Sequence, residues 1–171
     1  MKIEIYERLI ELHHKFGAQE FGKICQKFLA IAFQMNGYSH IVERGVQGVD
    51  VDAAGKDGNK YSIEVKTTLS RSVNIEQKDF YGLEDRKKDG YRSVIAALRL
   101  DRFSDWIFAN ADRLKPGNIY IEIVKIHRLK ELEESIPTSF DEAVMEHYEG
   151  TLDEGQSYLD NVLKQKGVEL R

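Results

Sequence analysis

Cysteine and proline are almost absent from this chain, and no stretch of apolar residues is long. One cysteine, Cys25, stands among 171 residues. No disulfide can form within the chain, and no structural zinc site built on several cysteines is available. Cys25 shares a helical pattern with Ile24 and Phe28, the setting of a buried thiol. Only Pro116 and Pro137 interrupt the backbone, and there is no proline-rich linker, repeat or low-complexity run. A membrane-crossing helix needs about 20 consecutive apolar residues, and none occurs. The opening MKIEIYERLIELHHK alternates charged with apolar residues and lacks the continuous apolar centre of a secretory signal. These absences predict a cytoplasmic protein with no membrane part, of a length that suits one domain.

An excess of positive charge is missing too. Lys and Arg number 25 against 29 Asp and Glu, a net of −4, which speaks against a nucleic-acid partner. The charge is uneven, however. Leu129 to Arg171 holds 11 acidic and 4 basic residues, leaving residues 1–128 with 21 basic and 18 acidic, a net of +3. The contrast predicts a core over 1–128 and an acidic helical extension over 129–171, packed on the same domain.

Ile5, Leu9, Leu12, Phe16, Ile24, Phe28, Ile31 and Met35 recur near helical spacing, predicting a helix over 3–35. Gly17 loosens or breaks it, and Asn36-Gly37 ends it. Three short strands are expected at Tyr38–Arg44, Val49–Ala54 and Lys60–Thr68, the last two joined through Gly55–Asn59. A helix follows over Ile75–Lys88, then a β-run over Tyr91–Leu98, a short helix over Ser104–Leu114 and a strand over Ile119–Ile126. Two or three acidic helices, broken near Pro137 and Gly150, complete the chain. The order α-β-β-β-α-β implies an α/β domain with a mixed sheet flanked by helices.

The chemistry-bearing stretch is Val49-Asp50-Val51-Asp52-Ala53, a loop, then Tyr61-Ser62-Ile63-Glu64-Val65-Lys66. Side chains alternate faces along a strand. If the apolar faces of the two strands lie together, Asp50, Asp52, Ser62, Glu64 and Lys66 share the other. A five-residue loop over Gly55–Asn59 sets Asp50 opposite Glu64 and Asp52 opposite Ser62. Facing Cβ atoms lie about 4.5–5.5 Å apart, close enough for two carboxylates to share one cation. Asp50 and Glu64 on opposite faces would end this reading. The plainer one is the solvated face of an amphipathic hairpin, with Glu64 and Lys66 a surface pair of little worth.

The spacing Gly48-Val49-Asp50-Val51, with 13 residues between Asp50 and Glu64-Val65-Lys66, resembles the core motif of PD-(D/E)xK nucleases. The form is similar to that of Mrr-type restriction enzymes and archaeal Holliday-junction resolvases. The flanking Gly45-Val46-Gln47-Gly48 and Thr67-Thr68 fit it, whereas Val49 replaces the usual proline. The resemblance implies a restriction-endonuclease-like αβββαβ core and a metal-dependent DNA endonuclease of restriction or of repair and recombination. It implies Asp50 and Glu64 as ligands of Mg²⁺, with Mn²⁺ able to substitute, Lys66 as the residue that assists the water, and a homodimer. Glu20, between Gly17 and Gly37-Tyr38, takes the place of a helix glutamate that several members carry at the metal. It also falls at the edge of the apolar stripe, where a charge is costly unless paired; pairing with Lys23 is the alternative.

Further candidates are weaker. Asp52 is a spare ligand or a polar residue on the same face. Gln77 and Tyr81 resemble the Gln-x-x-x-Tyr of RecB-like exonucleases, or else Tyr81 packs on the sheet and Gln77 meets solvent. Arg86, Lys87, Lys88 and Arg92, with Arg99 and Arg102 nearby, are candidate phosphate contacts or solvated surface charges. The histidines are scattered, Gly55-Lys56 lies in no phosphate-binding loop, and Trp106 is read as core or interface. The competing function is a non-catalytic binding module on this fold, an inhibitor or assembly subunit. Its acidic C-terminal region would mimic DNA or dock a basic protein partner. A complete set of Glu20, Asp50, Glu64 and Lys66 argues against it.

Overall fold

The structure, a computed structural model, describes residues 1–44, 48–102 and 104–171. The segment Gly45–Gln47, expected to flank the first acid, therefore lies outside the described residues. Helix α1 (Ile3–Met35) runs the full predicted length and bends at Gly17. There φ is 77° and ψ 168°, a backbone that only glycine adopts at little cost. Asn36 and Gly37 end α1: the Asn36 N–H reaches back to Ala32 and Phe33, and its side-chain amide donates to the Ala32 carbonyl at 2.8 Å.

Strands β1 (Tyr38–Glu43), β2 (Val51–Gly55) and β3 (Lys60–Thr68) form an antiparallel meander. The β2–β3 register is Val51 to Ile63, Asp52 to Ser62 and Ala53 to Tyr61, the parity that a five-residue loop dictates. Next come β4 (Ser72–Ile75), α2 (Gln77–Lys87), β5 (Arg92–Arg99) and β6 (Ile107–Asn110). Strand β5 pairs parallel to β3, and β6 pairs antiparallel to β5. The chain continues through β7 (Gly117–Tyr120), α3 (Ile121–Ile126), α4 (Lys130–Glu133), α5 (Ile136–Glu154) and α6 (Gln156–Gln165) to β8 (Glu169–Leu170). The main sheet has the order β6-β5-β3-β2-β1-β8, and β4 pairs with β7 in a separate ribbon. It is the expected mixed sheet flanked by helices.

Both faces of the sheet are covered. Val51, Ala53, Tyr61, Ile63, Val94, Ala96 and Phe108 share one core with α1, on which α5 and α6 pack in turn. On the other side Ile95, Ala97, Ile107 and Ala109 meet Leu83 of α2, Val73 and Ile75 of β4, and Ile121 and Val124 of α3. This second layer is what the solvated-hairpin reading omits: Asp52 is 0% and Glu64 5% exposed.

Four expectations fail. Ser104–Leu114 is not a helix but a loop, β6 and a short 3-10 turn (Ala111–Arg113). Ile107 and Phe108, β-branched and aromatic, find partners in Ala97 and Ala96 of β5, and Trp106 just before them stacks on Phe108 in the core. Ile119–Ile126 alternates like one strand, yet the ribbon ends at the Ser72–Tyr120 pair. With no strand left to pair, the chain coils into α3 and buries Ile121 and Val124, three apart. The predicted helix from Ile75 loses its start to β4. The acidic region breaks at Gly155 (φ 62°) rather than Gly150, and Pro137 sits in the first turn of α5, where its missing N–H does no harm.

Candidate active site

Asp50 lies just before β2, and Glu64 and Lys66 lie on the α2-facing side of β3. All three line one cleft of about 400 Å³. From α1, Gln19, Gly22, Lys23 and Gln26 form its opposite wall, at helical spacing. Helix α2 adds Lys78 and Asp79 from its first turn. Glycines let the walls close in. A Cβ on Gly82 would lie 3.3 Å from the Gly48 carbonyl carbon, so α2 rests directly on the segment leading into Asp50.

Each acid is fixed in its own way. The Val65 N–H donates to Asp50 Oδ2 at 2.8 Å, and Lys23 Nζ stands 3.8 Å from Oδ1. The buried Gln26 amide donates to the Asp50 and Arg44 carbonyls at 3.1 and 2.7 Å and to Glu43 Oε1 at 2.6 Å. It thereby ties the approach to the site onto α1. Glu43 in turn pairs with the buried Lys27 at 2.9 Å, and Lys27 with Asp160 of α6 at 2.7 Å. Glu64 Oε1 accepts from Lys66 Nζ at 2.7 Å. Glu64 Oε2 is buried and has no hydrogen-bond partner among the described residues.

That orphan oxygen shows in the electrostatics. Burial, then the neighbouring Asp50 charge, pushes the Glu64 carboxyl up to about 8 despite Lys66. Burial also raises Asp50, against the Val65 hydrogen bond and the Lys23 and Lys66 charges. Burial alone lowers the Lys66 ammonium, but Glu64 and Asp79 outweigh it and hold its pKa above the usual lysine value. A buried carboxylate, Glu64, beside the half-buried Asp50, with one oxygen left unpartnered, fits a divalent cation. No ready trio of acidic, histidine or cysteine ligands exists among the described residues. Two carboxylates by themselves would leave a hard cation to complete its shell with water or substrate oxygens.

Other expected residues lie elsewhere. Glu20 is not on the cleft wall: its Oε1 stands against Gly155, 3.1 Å from where a Cβ would be. It follows Gln19 by one residue, about 100° around the helix, so the face that meets the cleft passes it by. Asp52 shares the face of Glu64 but is consumed in a separate network. It accepts from Ser62 Oγ at 2.7 Å and pairs with Arg44 at 2.8 Å and Arg86 at 2.9 Å. Gln77 and the exposed Tyr81 line a different groove, beside Asp112 and Leu114. The basic cluster lies off the cleft, in surface pairs: Lys87 with Glu84 and Asp112, Lys88 with Asp85, and Arg92 with Glu131 while stacking on Tyr61. Sequence reasoning passed over Asp79 and Gln26, and named Lys23 only as a partner for Glu20. Asp79 carried one readable signal, an acid in the first turn of a helix.

No family model and no curated protein matches the sequence. Structure is more telling. Hjc, a Holliday junction resolvase from the archaeal hyperthermophile Archaeoglobus fulgidus, matches with a TM-score of 0.54, over 67% of this chain and 94% of that one. The chain has a resolvase's fold. At 16% identity the likeness lies in the architecture, the restriction-endonuclease-like one that the motif implies. Nearly the whole of the resolvase is matched, while a third of this chain lies beyond it. Among the described residues no helix is long and apolar enough to cross a membrane.

Proposed function

We propose that this chain is a metal-dependent DNA endonuclease whose active site is the cleft of Asp50, Glu64 and Lys66. The observation that carries the reading is the orphaned Glu64 Oε2, buried beside Asp50 at the centre of a resolvase-like fold. A buried carboxylate oxygen without a partner costs on the order of 1–3 kcal/mol or more, a cost that a bound cation would offset.

Asp50 and Glu64 would hold Mg²⁺, or Mn²⁺ in its place. Such a cation supplies charge against a phosphodiester oxygen and a more acidic bound water. Lys66, 2.7 Å from Glu64, stands where an ammonium can orient the attacking water and offset the developing negative charge. Lys23 and Lys78 at the cleft wall present cations to the strand's phosphates, although the chain is acidic overall. Cutting both strands of a duplex calls for two such sites, so the working form in this reading is a homodimer, which light scattering would measure.

The test is cleavage of duplex, single-stranded and four-way-junction DNA with Mg²⁺ or Mn²⁺. Wild type should cut, and Glu64→Ala and Lys66→Ala should each lower the rate by on the order of 10²-fold or more. The junction is included because the structural relative is a junction resolvase; preference for it would assign the same task here. Metal-dependent cutting that survives both substitutions would place the active site elsewhere.

A further inference from the structure

We infer that Asp79, on α2, is the positioning residue for Lys66, an inference that rests on the nuclease reading above. The Lys66 ammonium is held from two sides, 2.7 Å from Glu64 Oε1 and 2.7 Å from Asp79 Oδ2. A long flexible side chain loses about 2 kcal/mol of rotamer freedom when fixed, and one contact with a neighbour on its own strand leaves its angle free. The second carboxylate, from the layer across the cleft, fixes that angle.

Asp79 is built for the task. It is 6% exposed, and the oxygen that meets Lys66 also accepts the Glu76 N–H at 2.8 Å, half of a capping box at the start of α2. The rotamer is thus set by the helix backbone rather than by Lys66. Helix α2 is itself anchored to the sheet through the Arg86–Asp52 pair at 2.9 Å and through Gly82 on the Gly48–Val49 segment. The chain of contacts therefore runs from the sheet through α2 to Asp79 and on to Lys66. Shared in this way, Lys66 occupies only one Glu64 oxygen and leaves Oε2 unpartnered.

Asp79→Asn keeps an oxygen to accept the Glu76 N–H and removes the charge that holds Lys66. A double-mutant cycle of Asp79→Asn and Lys66→Gln tests the assignment in two readouts. In thermal stability of the metal-free protein, the cost of Asp79→Asn should largely vanish when Lys66→Gln is already present. In DNA cleavage with Mn²⁺, Asp79→Asn should lower kcat by about 10–10²-fold with KM within about threefold of wild type. It should add less than about threefold on top of Lys66→Gln, and Asp79→Glu, which keeps a carboxylate at the capping position, should recover most of the loss. Additive effects on kcat, or a loss of kcat that Asp79→Glu does not recover, would overturn the assignment. So would a loss of Mn²⁺ affinity as large as that of Glu64→Ala, which would make Asp79 a ligand instead. The stability cycle needs no turnover. A chain that cut no DNA would overturn the nuclease reading, and the Asp79–Lys66 coupling would still be read on its own.

Discussion

At the scale of single residues, the cleft trades stability for readiness. The half-buried Asp50 and the buried Glu64 sit side by side where the ionised forms are disfavoured, so removing one charge should relax the metal-free fold. Asp50→Asn keeps an acceptor for the Val65 N–H. It should raise metal-free stability by about 0.5–2 kcal/mol while abolishing Mn²⁺ binding measured by calorimetry. A destabilised variant would mean that Lys23 and Lys66 already satisfy Asp50. Asp52, two residues on, is expected to behave in the opposite way. It is enclosed by Arg44, Arg86 and Ser62, so Asp52→Ala strands the Arg44 guanidinium and leaves Arg86 with Asp89. The loss should be about 3–5 kcal/mol, with Mn²⁺ affinity in the surviving folded protein within a few-fold of wild type. Alternation put both acids on one face; their neighbours give them different work.

At the scale of elements, α5 and α6 pack closely through Gly150 and Tyr158. A Cβ on Gly150 would lie 2.3–2.6 Å from three ring atoms of Tyr158. Gly150→Ala gains about 1 kcal/mol of helix propensity but must displace a ring, a strain of about 1–3 kcal/mol. The net should be a loss, seen as a lower Tm, and it should reverse to a gain in a Tyr158→Ser background. The same tyrosine hydroxyl lies 3.2 Å from His147 Nδ1. His147 is buried, and burial lowers its pKa, against Glu146 and in concert with Lys166. The folded state thus resists a proton that the unfolded chain accepts near pH 6.5. The associated stability is complete above that value and is lost as pH falls from about 6.5 through the lower folded pKa. Thermal melts from pH 7.5 to 5 should show the decline, and His147→Gln should flatten it. An unchanged slope would assign the acid sensitivity to another group.

At the scale of the whole molecule, what the sequence determined by itself is local. The 13-residue spacing, the odd loop and the alternation of β2 and β3 are properties of one contiguous hairpin. Its parity, and with it the common face of Asp52, Ser62 and Glu64, follows from strand geometry alone. The long apolar period of α1 and the break at Gly17 are equally local, because a glycine with positive φ needs no tertiary partner. What only the tertiary structure decided is where distant segments meet. A side chain one step around α1 either enters the cleft, as Gln19 does, or turns to Gly155, as Glu20 does, and no periodicity counts that closely. Helix α2 covers the acids and turns a face that reads as solvated into a buried one. It brings Asp79 to Lys66, because the parallel β3–β5 pairing forces a crossover above the sheet. Residues 104–126 took their states from the partners available: β6 found an edge of β5, whereas α3 had no strand left to join. Hydrogen-bond demand, satisfied across the fold and not along the chain, settled those residues.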